Sequence, residues 1–294
     1  MNFLLRVLSL TLSLACLVSP TWGRPAFKKC DYRARNFNTI SSIYNLTVYP
    51  NQVPIIFGGA GNVPDGLFSH SVAGRVYPVG NFKGFEDSIE YFFALAPLPQ
   101  GNIKSAAITS YKITSFTSGC RNVAASVVYL YSSVVDPASP DFGKPLAPLK
   151  QVAFWRFDGQ GAVVKYDAWI PSLDRWIELI DGTPSTDPTY EMQTIQRVCA
   201  TAQLTCSGPN QQWGSVEECV ADLSQRKYGS YSNAWGDNIV CRTIHLVLTQ
   251  ARPDHHCPHV GPTGGGKCVD VPYPEDFLSD EDLYGDLVGE TFTC

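Results

Sequence analysis

Between residues 106 and 170 the chain runs through four long segments of β-branched and aromatic residues, and this stretch fixes what the rest must pack against. Segments 106–118 and 123–135 flank the turn Gly119-Cys-Arg-Asn122, and segments 149–157 and 162–170 flank Asp158-Gly-Gln-Gly161, whose Asp-Gly step favours a tight reversal. Successive half-buried strands with short links predict a curved, mostly antiparallel sheet. Residues 84–95 (GFEDSIEYFFAL) predict a helix ahead of it, with acids in the first turn and Pro97 as the stop. Residues 30–80, rich in Gly, Pro and Asn, read as turns around short apolar runs.

The last third reads as helical. Asp187-Pro188 can cap and open a helix to about residue 199, and Ser215 with Glu218 fits a capping box ahead of 219–223. Asp237 can cap a helix over 238–249, on which Cys241 and His245 lie one turn apart, and Pro253 ends it. The expected fold is therefore α+β: a sheet domain with a packed helix over 24–185, a cysteine-rich helical region over 186–269, and an acidic tail over 270–294.

The N-terminus sets the expected compartment. Arg6 followed by the short apolar run 7–18, a break at Ser19-Pro20 and small Gly23 read as a signal peptide over 1–23, so the protein is expected to be secreted and extracellular. Asn45-Leu-Thr47 is then a glycosylation sequon. Cys16 leaves with the signal, and Cys30, Cys120, Cys199, Cys206, Cys219, Cys241, Cys257 and Cys268 are expected in disulfides. The ninth, Cys294, is expected to be the odd one, open to an intermolecular disulfide.

Charge excludes some partners. Of a net −5, residues 270–294 carry −8, leaving +3 for everything before them, so the body offers no basic stripe for nucleic acid. The tail reads as a solvated end whose Phe277, Leu278, Leu283, Tyr284 and Leu287 leave room for a docked turn or a partner-binding segment. No segment after the signal is apolar enough to span a membrane.

Residues 84–95, together with 154–169 (FWRFDGQGAVVKYDAW), resemble the helix and late hairpin of the SnoaL-like, ketosteroid-isomerase-like cone fold, over roughly 84–180. The resemblance implies a cavity on the sheet's concave face for a small apolar ligand, and in enzymes of that family, carboxylate-driven lyase, isomerase or cyclase chemistry. The family's catalytic residues do not map one by one onto this chain. Asp167, Tyr166 and Arg156 on the late hairpin, and Glu86, Asp87 and Glu90 on the helix, are the candidates; strand alternation prevents Arg156, Lys165 and Tyr166 from all facing inward. The plainer alternative is an Arg156–Asp167 ion pair with Trp155, Trp169 and Trp176 in the core. The whole chain also resembles uncharacterised secreted, cysteine-rich fungal proteins through Cys241-Arg-x-x-His245 and His256-Cys-Pro-His-Val-Gly-Pro-Thr-Gly-Gly265.

That last segment gathers His245, His255, His256 and His259, four of the five histidines, with Asp254 and Cys257 beside them. Imidazoles at this density suit zinc or copper, although HExxH is absent. The plainer alternative is a Cys257–Cys268 staple with the histidines as surface residues. Gly261-Pro-Thr-Gly-Gly-Gly-Lys267 approaches a phosphate loop, but Cys268 stands where Ser or Thr would hold magnesium. The leading function is a small-ligand-binding or interaction protein; the alternative is an enzyme acting in the cavity or at the histidines.

Overall fold

A computed structural model describes residues 31–99, 102, 104–182, 186–272, 280–286 and 289–294. The expected signal peptide and Cys30 lie outside the described residues. From Tyr32 to Cys294 the chain is one compact unit.

Six strands form one sheet in the order β2-β1-β6-β5-β4-β3: β1 Phe68–Tyr77, β2 Gly80–Lys83, β3 Ala106–Thr117, β4 Val123–Val134, β5 Pro145–Phe157 and β6 Val163–Trp169. The four long segments are β3 to β6, paired antiparallel in chain order as their turns require. Asp158 Oδ1 accepts the backbone N–H groups of Gln160, Gly161 and Ala162, which locks the β5–β6 reversal. The added pairing is β1 with β6, the only parallel ladder among the described strands. Register breaks in β1, β3, β4 and β5 bend the ladder, as bulges do. Gly74 on β1 faces Tyr166 on β6, and a Cβ there would sit 2.2 Å from the phenol ring, so only glycine lets that ring lie across β1.

Residues 30–80 correct the sequence reading. They hold the 16-residue helix α1 (Tyr32–Thr47) and the short α2 (Val53–Gly58), besides β1 and β2. Ile40, Ile43, Tyr44 and Thr47 make the buried stripe of α1 at helical spacing. Asn36, also buried, donates to Ser118 Oγ and the Arg121 carbonyl, fastening the helix to the β3–β4 turn. The helix expected over 84–95 is α3 (Phe85–Ile89), which continues into a π-turn over Glu90–Ala94.

The C-terminal third carries α4 (Leu173–Asp181), α5 (Pro188–Thr205), α6 (Val216–Leu223), α7 (Ile239–Leu248) and α8 (Pro253–Val260). Asp187 caps α5 and Ser215 caps α6 as expected. The cap of α7 is Asn238, whose Oδ1 accepts the Cys241 N–H, and not Asp237, which pairs instead with Arg226 and Arg242. Pro253 opens α8 at its first position, where a proline's missing N–H goes unused. Ile195, Val198, Leu223, Ile239 and Val260 form a second core with the half-cystines, beside the main core of the sheet and α1.

Every described cysteine is paired: Cys199–Cys219, Cys206–Cys257, Cys241–Cys268 and Cys120–Cys294. The last bond corrects the assignment of Cys294 as the odd cysteine available to another molecule, and the Cys257–Cys268 staple is replaced by two separate bonds. It also explains where the acidic tail goes. Asp280 pairs with Arg75 at 2.8 Å, Asp286 pairs with Lys165, and Phe292 packs on Phe154, so the described tail residues lie on the outer face of the sheet. α9 (Asp280–Tyr284) buries Leu283 and Tyr284 there. The double change Cys120→Ser/Cys294→Ser removes the covalent anchor but not these contacts. We expect amide exchange in Asp280–Tyr284 to rise about tenfold or more, with β4 and β5 protected as before; unchanged exchange would show that the ion pairs alone hold the tail.

Candidate functional site

Strand alternation divides the candidates of the β5–β6 hairpin. Inward-facing Leu149, Gln151, Ala153, Trp155 and Phe157 on β5 share a face with Tyr166 and Ala168 on β6. Arg156 and Asp167 face outward, and they do not pair. Asp167 takes a two-point contact from Arg75 (3.1 and 2.5 Å), and Arg156 donates to the tail carbonyls of Glu290 and Thr291. Tyr166 does face inward, but its hydroxyl bonds Ser88 Oγ at 3.1 Å. Of the three tryptophans, Trp155 and Trp176 are buried and Trp169 is partly exposed on the outer face.

The inner face encloses a cavity of about 230 Å³, walled by Phe92, Trp176, Tyr231 and aliphatic side chains. One polar chain crosses it. Tyr44 Oη donates to Gln151 Oε1, and Gln151 Nε2 donates to Tyr91 Oη at 2.5 Å. Burial pushes both phenols well above their ordinary range, so both stay protonated. Tyr91 therefore accepts one bond and retains its own proton, for which the described residues provide no acceptor. Gln151 was legible as a polar residue at an inward position of an alternating strand; no sequence signal marks Tyr44 and Tyr91 as its partners.

The π-turn presents Tyr91 to this cavity and Glu90, one residue earlier, to the histidines. Glu90 is 7 % exposed. It accepts two bonds from Arg252 (both 2.5 Å) and lies 3.0 Å from His256 Nε2, while Arg252 also reaches Asp87 at 2.8 Å. Burial raises the Glu90 carboxyl, but the bonds from His256 and Arg252 outweigh it and hold it below the usual carboxylate range. Glu86 takes no part in this network.

His245 comes from α7, and His255, His256 and His259 from α8. His245 Nδ1 lies 3.3 Å from His256 Nδ1 and 3.3 Å from His259 Nδ1. One ring nitrogen from each of the three falls within 4.8 Å of the others. His255 stands apart: its ring touches those of His256 and His259, but it is exposed and its Nε2 is 3.9 Å from Asp87. Burial and the neighbouring imidazoles push His245 well below its ordinary range and His259 down to about 3. Cys241–Cys268 ties α7 to the loop after α8, and Cys206–Cys257 ties α8 to α5, so two disulfides brace the elements that carry the imidazoles. Gly265 completes the brace: a Cβ there would meet the Pro258 backbone at 2.6 Å and His259 Cδ2 at 2.8 Å.

The histidines line a second hollow of about 330 Å³ with Glu90, Lys83 and Lys267. Val79, Leu95 and Ile244 belong to the walls of both hollows, so the apolar cavity and the imidazole cluster are neighbours. His70, remote from both, packs its exposed ring on Phe85.

Known proteins resemble this chain at two levels. Two solved structures described as polyketide cyclases, from Xanthomonas campestris pv. campestris and from Jannaschia sp. CCS1 (the second SnoaL-like), overlie 51 % and 52 % of this chain and 98 % and 96 % of their own. Identities are 12 % and 11 % and TM-scores 0.34 and 0.35, too low to decide anything about activity. Among curated proteins, the aurasperone B biosynthesis cluster protein A of Aspergillus niger is 30 % identical over 214 residues, 69 % of this chain and 68 % of its own length. The bifonsecin B biosynthesis cluster protein A of Aspergillus brasiliensis is 31 % identical over 214 residues, 69 % of this chain and 70 % of its own. The BfoA N-terminal domain matches residues 42–168 and the BfoA family C-terminal domain residues 165–271, meeting in β6, and with these matches across both the cavity and the histidines the chain belongs to the BfoA family.

Proposed function

We propose that the protein binds a flat, aromatic small molecule bearing an oxygen atom in the cavity of the sheet domain, as part of a biosynthetic pathway for such a compound. The carrying observation is the Tyr44–Gln151–Tyr91 chain in an otherwise apolar hollow, with one phenolic proton left over at Tyr91. Phe92, Trp176 and Tyr231 supply faces for an aromatic ring, and the Tyr91 proton supplies a donor for a carbonyl or phenol oxygen. A volume of about 230 Å³ favours a compact bicyclic ligand over an extended one. The relatives named for aurasperone B and bifonsecin B biosynthesis support the pathway setting. A second reading, in which the bound molecule is also transformed, draws on the wall shared with the histidine hollow.

We further propose that the protein acts outside the cell. Four disulfides among the described residues suit an oxidising compartment, and Asn45 is exposed on α1, accessible to a glycan. A shift in mobility on glycosidase treatment of culture-medium protein, lost in Asn45→Gln, tests both together.

Fluorescence titration with 2-naphthol tests the ligand assignment. Tyr91→Phe is expected to weaken binding about tenfold through one lost hydrogen bond, and naphthalene to bind both proteins equally. Leu130→Trp, which fills the cavity, is expected to abolish binding while far-ultraviolet circular dichroism stays native. Equal 2-naphthol affinity in the folded Leu130→Trp protein would rule the cavity out.

A further inference from the structure

We infer that His245, His256 and His259 form a mononuclear site for a divalent first-row cation, zinc or copper, with three imidazole ligands and a fourth position facing the hollow beside the cavity. The inference goes beyond the ligand reading and does not depend on what fills the cavity.

Geometry carries the first part. Ligands held at about 2.05 Å around a tetrahedral ion stand about 3.3–3.4 Å from one another, because the tetrahedral edge is about 1.63 times the bond length. His245 Nδ1 stands 3.3 Å from both of its neighbours' Nδ1 atoms. Two edges of the triangle thus already have the length that a metal imposes, and the three residues offer ring nitrogens that all lie within 4.8 Å of one another.

Proton counting carries the second part. An imidazole Nδ1 has one position in the ring plane, occupied either by a proton or by a lone pair. His245 Nδ1 faces two partners with that single position. If it carries a proton, a linear hydrogen bond satisfies one partner only; if it carries a lone pair, it accepts from one only. Glu90, ion-paired with Arg252, is a carboxylate that only accepts, so His256 Nε2 carries the proton between them, and in that tautomer its Nδ1 turns a lone pair towards His245. No assignment of tautomers gives both 3.3 Å contacts a good hydrogen bond, whereas a cation among three lone pairs satisfies all three nitrogens at once.

The surroundings complete the site. A carboxylate on the far nitrogen of a ligand histidine fixes its tautomer and increases its basicity, and Glu90 holds that position on His256. Cys241 and Cys268 also lie near His245 but are joined to each other, so no thiolate contributes. Two disulfides and the Gly265 contact hold the ligand-bearing elements in place before any ion arrives.

The test uses the full secreted chain, untagged and purified without chelator, then titrated with Zn²⁺ and with Cu²⁺ alone. One equivalent per chain is expected in the wild type. His245→Ala and His259→Ala are expected to weaken binding about a hundredfold or more, His255→Ala to leave it unchanged, and Glu90→Gln to weaken it about ten- to a hundredfold. Should the alanine variants fail to fold, the visible spectrum of the Co²⁺-loaded wild type decides: four-coordinate intensity supports the site, and the weak bands of hexahydrated cobalt overturn it. Less than one equivalent in the wild type, or equal affinity in folded His245→Ala and His259→Ala, also overturns it.

Discussion

Replacing Glu90 with alanine is expected to destabilise the protein by about 3–5 kcal/mol, because it removes the shared partner of half-buried Arg252 and buried His256. Glu90 is the acceptor for Arg252 Nε and Nη2 and for His256, on a side chain that is 8 % exposed against 27 % for Arg252. Arg252 keeps Asp87 and some solvent, which places the expectation near the lower end of that range. Urea midpoints in chelator measure it without any contribution from bound metal. A charge-balanced pair, Glu90→Leu with Arg252→Met, is expected to recover much of the loss, since burying neither charge avoids the desolvation that the ion pair must offset. A loss below about 1 kcal/mol for Glu90→Ala would mean that water reaches Arg252 and His256 freely.

Trp155→Ala is expected to destabilise by about 3–5 kcal/mol through the void it leaves. Among the described residues Trp155 is the largest fully buried side chain, and it lies on the inward face of β5. Its ring centroid lies 6.2 Å from Tyr44, 5.8 Å from Phe92 and 6.3 Å from Tyr166, and its indole N–H donates to Ser126 Oγ at 2.9 Å. Alanine therefore forfeits the packing of α1, the π-turn after α3 and β6 together and leaves Ser126 without that partner. Trp155→Phe keeps most of the packing and is expected to cost about half as much. Thermal or urea unfolding compares the two, and a near-neutral Trp155→Ala would place the load of the core elsewhere.

The strands were legible because alternation and turn chemistry are local. The segment 149–157 states its own inward face, and the Asp158-Gly step states its own reversal. Helix α1 was not legible for an equally local reason: Asn36, Asn38, Thr39, Ser41, Ser42 and Asn45 are weak helix formers, and three of its six buried residues, Asn36, Thr39 and Thr47, are polar. What stabilises it is distant, namely the bonds from Asn36 to the β3–β4 turn. The parallel β1–β6 ladder likewise depends on contacts between residues some ninety positions apart, such as Arg75 with Asp167.

The candidate sites divide in the same way. The histidine segment was conspicuous in the sequence, and its convergence follows from His245 on one helix meeting the i, i+3 pair His256 and His259 on the next. Its carboxylate partner was only one acid among three on the helix at 84–95, and 166 residues separate Glu90 from His256. Asp167 and Arg156 drew notice as charges in a resemblance to a cavity-bearing fold. Both serve the outer face instead, where Arg75 and the tail use them. The tail itself was read as solvated because its charge was visible and its cationic partners Arg75 and Lys165 were not.

The measurement that bears most directly on the central claim is a crystal structure of the protein soaked with 2-naphthol. A ring is expected between Tyr91, Phe92 and Trp176, with its oxygen about 2.7–3.0 Å from Tyr91 Oη. A ligand found only outside the cavity, or a cavity closed by its own side chains at saturating 2-naphthol, would contradict it.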